Sequence, residues 1–333
     1  MDWETFYNRF RQKDFIPGYE ILVRLGGGAF GDVYKARKAS IGKSYAIKFL
    51  KLEEGSKAII ERELAHVGRF ASIDHPNLVT IEDMGVVLGV PYLIMGYAGD
   101  QTLAKRIKAG PLPLEETLSL FHQIARGVER LHKDQLVHFD LKPGNIFLQG
   151  NRARVGDYGL AKFFEQGGQS LSMGRGTPHY MAPEILLGRG DMRSDIYSYG
   201  VMLYECLTGR KPFGDPSDPM AIRQPDDPPP AMSSLPEPIR KVLLGCLAWN
   251  PDDRFESMGA VRLALPRPLA SGPVIESDPS DERTAAVHPL VAARAARRPD
   301  WLRLVLFALV FAMIGFLVSL GGMALVRALM EPV

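Results

Sequence analysis

Cysteine is nearly missing from this chain, which holds only Cys206 and Cys246 in 333 residues. Two thiols make no disulfide framework, and their wide separation is not that of a metal site. They read as reduced structural thiols of a reducing compartment. A surplus of either charge is missing as well. Forty basic residues against 38 acidic ones leave a formal net charge of +2, which removes the electrostatic case for nucleic acid as the main partner. The opening Met1-Asp2-Trp3-Glu4 lacks the basic start and apolar run of a signal peptide. No internal repeat is apparent. At 46% hydrophobic and 23% charged residues, the composition excludes both a wholly disordered chain and a polytopic membrane protein. The length suits roughly two domains, or one large bilobal one.

What is present falls into unlike segments. From Tyr19 to Phe49, β-branched and aromatic residues alternate with polar ones around a glycine-rich turn, which predicts strand, turn, strand, loop, strand. Residues 57–69 read as a helix. Between Glu115 and His132, Leu118, Phe121, Ile124, Val128 and Leu131 recur at helical spacing. Residues 194–208 are apolar nearly all round, the pattern of a helix buried at the centre of a domain. A small sheet-rich lobe is therefore expected before a larger helical one. This is an α+β, bilobal architecture over residues 19–265, preceded by an N-terminal extension of residues 1–18. Residues 266–300 turn to Pro, Ala, Ser and Arg without periodicity, the composition of a flexible linker.

Residues 304–326 form a run of 23 with no charge and one hydroxyl, Ser319. As a helix they cover about 34 Å, enough to cross a hydrocarbon core of about 30 Å. A single transmembrane helix is expected over residues 301–327. Arg294, Arg297, Arg298 and Arg303 precede the run and only Arg327 follows closely. That asymmetry puts the N-terminal side in the cytoplasm and leaves residues 328–333 as a short external tail, with no room for a sensor domain. Gly315, Ser319 and Gly322 share one face of the span. Small residues let membrane helices approach closely, so this face is where a homodimer would form.

Four motifs carry chemistry. The first is Gly26-Gly27-Gly28-Ala29-Phe30-Gly31-Asp32-Val33. In a dinucleotide-binding unit a helix would start directly after such glycines. Here Val33-Tyr34-Lys35-Ala36 continues as a strand and Tyr45-Ala46-Ile47-Lys48 forms the next, so the glycines form a flap whose amides cover phosphates above a strand lysine. Gly42-Lys43-Ser44 imitates the end of a P-loop, but that motif needs a glycine where Arg37 stands. The second motif is His138-Phe139-Asp140-Leu141-Lys142-Pro143-Gly144-Asn145. The third is Asp157-Tyr158-Gly159, and the fourth runs from Gly176-Thr177-Pro178 to Ala182-Pro183-Glu184.

In this order the set resembles the eukaryotic-type protein kinase family, over about Tyr19 to Leu265. A kinase domain joined by a short linker to one span is similar to bacterial membrane kinases. The resemblance implies ATP and Mg²⁺. It implies a nucleotide pocket made by Leu25, Gly26, Gly28, Gly31, Val33, Ala46 and Lys48, with Met95 gating its back and Ala98 in the hinge that grips adenine. Lys48 would hold the α/β-phosphates, oriented by a helix glutamate, Glu63 first or Glu61 second. Asp140 would accept the proton of the substrate hydroxyl and Lys142 would touch the γ-phosphate. Asn145 and Asp157 would supply the hard oxygen ligands that Mg²⁺ prefers. The Lys142 form of the catalytic loop, with Gly-Thr-Pro before Ala-Pro-Glu, looks like the serine/threonine-specific branch acting on protein substrates, with Thr177 near Asp140 and Lys142. Glu184 is expected to pair with Arg254, and Asp195 to hold the catalytic-loop backbone. With Lys48, Asp140, Asn145 and Asp157 all present, an active kinase is preferred over a pseudokinase scaffold that binds nucleotide and partner proteins.

Two residues depart from the family pattern. Phe139 stands where most members carry an arginine that pairs with a phosphorylated activation loop. Phenylalanine makes no such pair, so activity is expected to depend little on phosphorylation of Ser170, Ser172 or Thr177. Tyr158 replaces the usual phenylalanine. Its ring still packs, and its hydroxyl can reach water or a polar neighbour.

Overall fold

Alternation along the third strand decides which side chains face the future site. The computed structural model describes Phe10 and residues 15–28, 31–50, 68, 71–158, 178–213, 229 and 231–269. Outside them lie Glu61 and Glu63 with nearly all of the helix expected at 57–69. Ser170, Ser172 and Thr177 also lie outside, as does the 304–326 span with Gly315, Ser319 and Gly322. Among the described residues no helix is long and apolar enough to cross a membrane.

Strands β1 (Tyr19–Gly28), β2 (Gly31–Lys38) and β3 (Ser44–Leu50) form an antiparallel meander, as the alternation predicts. β4 (Ile81–Val87) and β5 (Val90–Gly96) complete a five-stranded sheet of order β1-β2-β3-β5-β4. Successive side chains on a strand point to opposite faces. On β3, Tyr45, Ile47 and Phe49 enter an outer aromatic cluster with Ile16, Tyr19 and Tyr34. Ala46 and Leu50 face the main core instead. Lys48 lies between those two in the alternation, so the pleat alone turns it toward the cleft. Register places Ala46 beside Met95 and Lys48 beside Leu93.

The helical lobe begins with α1 (Leu103–Ile107) and α2 (Leu114–Lys133). The predicted apolar stripe of α2 is buried at Leu118, Phe121, Ile124, Val128 and Leu131. A two-stranded hairpin follows, β6 (Ile146–Gln149) and β7 (Arg152–Val155). α3 (Met192–Thr208) is the central buried helix. It starts two residues before the 194 read from the pattern, because Asp191 and Ser194 form a reciprocal capping box, and it stops at Gly209, whose φ is +71°. α4 (Glu237–Leu247) and α5 (Met258–Ala264) close the lobe. α3 and α4 meet at Gly200, where an added Cβ would sit 2.6 Å from Cys246 Cβ. Cys206 and Cys246 are both buried and free, and burial pushes both thiols above the ordinary range, which suits a packing role.

Candidate active site

The glycine hairpin forms the roof. At Gly31, φ is +149° and an added Cβ would lie 2.1 Å from the Phe49 carbonyl oxygen, so only glycine fits. At Gly27 an added Cβ would lie 2.1 Å from an Asp32 carboxylate oxygen, where the 2.6 Å Arg24–Asp32 ion pair passes close to the bare backbone. Beneath is a cavity of about 480 Å³, in the size range of small-molecule sites. Leu25, Gly26, Gly31, Val33, Ala46, Lys48, Met95 and Ala98 line its upper half. Asp140, Lys142, Asn145 and Asp157 line the lower half. Gly28 pairs with Gly31 toward the hairpin tip.

The hinge is shaped by its neighbour strand. Gly96 donates its amide to the Thr80 carbonyl at 3.0 Å, and the Thr80 hydroxyl oxygen would lie 2.6 Å from a Cβ at this position. The threonine occupies the room that a side chain at Gly96 would need. Two residues on, no backbone hydrogen bond ties Ala98 to another described residue, which leaves its main-chain groups for a ligand edge.

The floor is held from the buried helix. Asp195, fully buried in the first turn of α3, accepts the amides of His138 at 2.8 Å and Phe139 at 2.9 Å and the His132 Nε2 hydrogen at 2.8 Å. These bonds hold Phe139 at φ +61°, a conformation that costs about 1–3 kcal/mol outside glycine. His138 Nε2 donates to the Gly156 carbonyl at 3.0 Å, and its Nδ1 accepts the Asp140 amide at 3.3 Å. The catalytic loop and the strand end before Asp157 are thereby joined through one imidazole.

Functional groups converge between these supports. The Asp140 carboxylate accepts Lys142 Nζ at 2.9 and 2.7 Å and Asn145 Nδ2 at 3.1 Å. Asn145 Nδ2 also donates to the Asp140 carbonyl at 2.8 Å, so Oδ1 is the acceptor this side chain has left for the cleft. Asp157, at φ +59°, stands 2.9 Å from Lys48 Nζ. Burial by itself raises the pKa of this carboxyl. The charge of Lys48, its hydrogen bond and the charge of Lys142 together outweigh burial; the net direction is downward, so Asp157 is ionised. Among the described residues no group of three or more His, Cys, Asp or Glu side chains is placed to hold a metal. The Asn145 and Asp157 oxygens fit a Mg²⁺ that keeps waters and phosphate oxygens as its other ligands.

Val79 and Phe147 also wall the cavity, and the sequence did not single them out. For Phe147 a signal existed, because it lies two residues beyond Asn145 on a short strand. Val79 had none. It reaches the cleft because its amide bonds the Val155 carbonyl at 2.9 Å.

Comparison with known proteins gives these residues a context. A family model described as protein kinase domain matches residues 19–263. The chain is 36% identical over 266 residues to the serine/threonine-protein kinase Pkn1 of Myxococcus xanthus, covering 76% of this chain and 38% of that protein. It is 33% identical over 250 residues to PrkC of Bacillus subtilis (strain 168), covering 72% and 38%. It is 31% identical over 299 residues to PknA of Mycobacterium tuberculosis, covering 84% and 68%. The chain thus spans less than half the length of the first two.

Proposed function

The chain belongs to the protein kinase family, and on that membership we propose that it transfers the γ-phosphoryl group of ATP to serine and threonine hydroxyls of proteins. The observation that carries the reading is the convergence, in one cavity, of the Lys48–Asp157 pair at 2.9 Å and the Asp140–Lys142–Asn145 cluster. The relatives named serine/threonine-protein kinases support the choice of hydroxyl.

Phosphoryl transfer asks for positioning and charge neutralisation more than covalent chemistry. Leu25, Val33, Ala46 and Met95 offer apolar walls for adenine, and the Ala98 backbone offers its edge. Lys48 holds the α/β-phosphates, with Glu63 or Glu61 as its orienting partner. Asp140 takes the proton of the incoming hydroxyl. Its carboxylate is aimed by Lys142 and Asn145, and Lys142 faces the γ-phosphoryl group. Mg²⁺, when bound by Asn145 and Asp157, supplies further neutralisation of phosphate charge. The 304–326 span and the arginines before it support a kinase anchored on the cytoplasmic face of a membrane.

The test is incubation of the full chain with Mg²⁺ and ATP beside Asp140→Asn. Phosphate is expected on serine and threonine, and the variant should be slower by about 10²–10⁴-fold, the usual contribution of a general base. Transfer by neither protein, to itself or to a generic basic substrate, would favour a nucleotide-binding scaffold instead.

A further inference from the structure

We infer that the Tyr158 hydroxyl is a positioning group that pins Asp157 from its C-terminal side and keeps the carboxylate turned toward Lys48 before nucleotide arrives. Its consequence for Mg²⁺ rests on the kinase reading; the geometry behind it does not. Tyr158 is buried, at 4% exposure, and its hydroxyl donates to the Val79 carbonyl at 2.5 Å. Among the described residues, no backbone amide outside the regular elements donates to that carbonyl.

Asp157 needs holding from both sides. Its φ of +59° lies in the left-handed region that non-glycine residues leave unless their surroundings fix them. On the N-terminal side the grip is dense. The Val155 amide bonds the Asn77 carbonyl at 2.8 Å, and the Val155 carbonyl accepts Val79 at 2.9 Å. The Gly156 amide bonds the Asn145 carbonyl at 2.8 Å, and its own carbonyl accepts His138 Nε2 at 3.0 Å. All of these act before Asp157. Among the described residues, the hydrogen bond that acts after it is the one from the Tyr158 hydroxyl. That bond lands on the same strip, 77–79, that holds Val155, so it closes the strip around Asp157. A phenylalanine ring would fill the same space but leave the buried Val79 carbonyl without its donor, an asymmetry that favours rearrangement over tolerance.

The effect expected is a population shift. If Asp157 leaves its inward position part of the time, the Mg²⁺-dependent part of nucleotide affinity falls by the fraction of molecules still competent. Three full-length proteins decide the matter: wild type, Tyr158→Phe and, as control, Tyr199→Phe. Tyr199 is also buried and donates to a backbone carbonyl, that of Phe121 at 3.0 Å, but on the central helix. Amide hydrogen exchange without nucleotide or metal is read first. Residues 152–158 should exchange about fivefold faster in Tyr158→Phe, the size of one net hydrogen bond, with 194–208 unchanged, and Tyr199→Phe should not accelerate 152–158. ADP titration is read second. The gain in affinity on adding Mg²⁺ should shrink in Tyr158→Phe alone, by at most the same fivefold, with Mg²⁺-free affinity within about twofold. Unchanged exchange at 152–158, equal acceleration in both variants, or an undiminished Mg²⁺ gain overturns the inference. Wild type that binds no ADP under either condition overturns the kinase reading, and the exchange result still decides whether Tyr158 pins Asp157.

Discussion

Phe139 lies between Asp140 and His138, with its ring against Gly190, where an added Cβ would sit 2.8 Å from Phe139 Cε1. The ring is partly buried against the main core. A guanidinium at this position would offer paired donors to a loop phosphate; an aromatic ring offers none. The work of holding the loop backbone falls to Asp195, at 2.8 and 2.9 Å. Replacing Ser170 and Ser172 together by alanine should therefore leave peptide phosphorylation within about tenfold of wild type, or 1.4 kcal/mol in barrier. A larger loss counts against the idea. The residue type was legible in the sequence. Its contact with Gly190 was not, because the two meet only when the catalytic loop and the segment before α3 pack together.

At the scale of elements, one ion pair joins the short turns Pro183–Leu187 and Pro251–Asp253. Arg254 meets Glu184 through two bonds, 2.7 and 2.8 Å, and its remaining donors reach the carbonyls of Ala248, Trp249 and Arg193. Burial raises the pKa of Glu184. The hydrogen bonds from Arg254 and Ser194, with the charge of Arg254, reverse this, and the net direction is below the usual 4.5. The pair's contribution is therefore complete above about pH 4.5 and lost as pH falls through the lower folded value. Glu184→Gln leaves the guanidinium buried without its counter-charge and should cost about 3–5 kcal/mol at neutral pH. Chemical unfolding at pH 7 and pH 4 measures it. Wild type should lose more stability than the variant between those two values, and equal losses would count against the assignment.

For the whole molecule, the described residues belong to one unit, 1–272. Residues 266–269, read from composition as the start of a linker, are tied to α2. The Pro266 carbonyl lies 3.0 Å from His122 Nε2, and the Leu269 amide donates to Glu115 at 2.7 Å. The proposed anchor lies beyond them. Deleting residues 304–326 should move the protein from an alkali-resistant membrane pellet to the soluble fraction. A full-length chain already released by alkaline wash would argue against the span.

Within single elements the sequence was sufficient. Alternation along β3 turns Lys48 to the cleft face, the stripe on α2 marks its buried side, and the order of the motifs supplies Asp140, Asn145 and Asp157. Each depends on neighbours a few residues away, whose geometry is set by the period of a strand or a helix. Packing alone decided the rest. It brought Val79 into the cavity wall and put its carbonyl under the hydroxyl of Tyr158, 79 residues further along. It also set Lys48 against Asp157 and Phe139 against Gly190. Such contacts join segments whose separation in the chain carries no period, and they exist only once both lobes have closed on their cores.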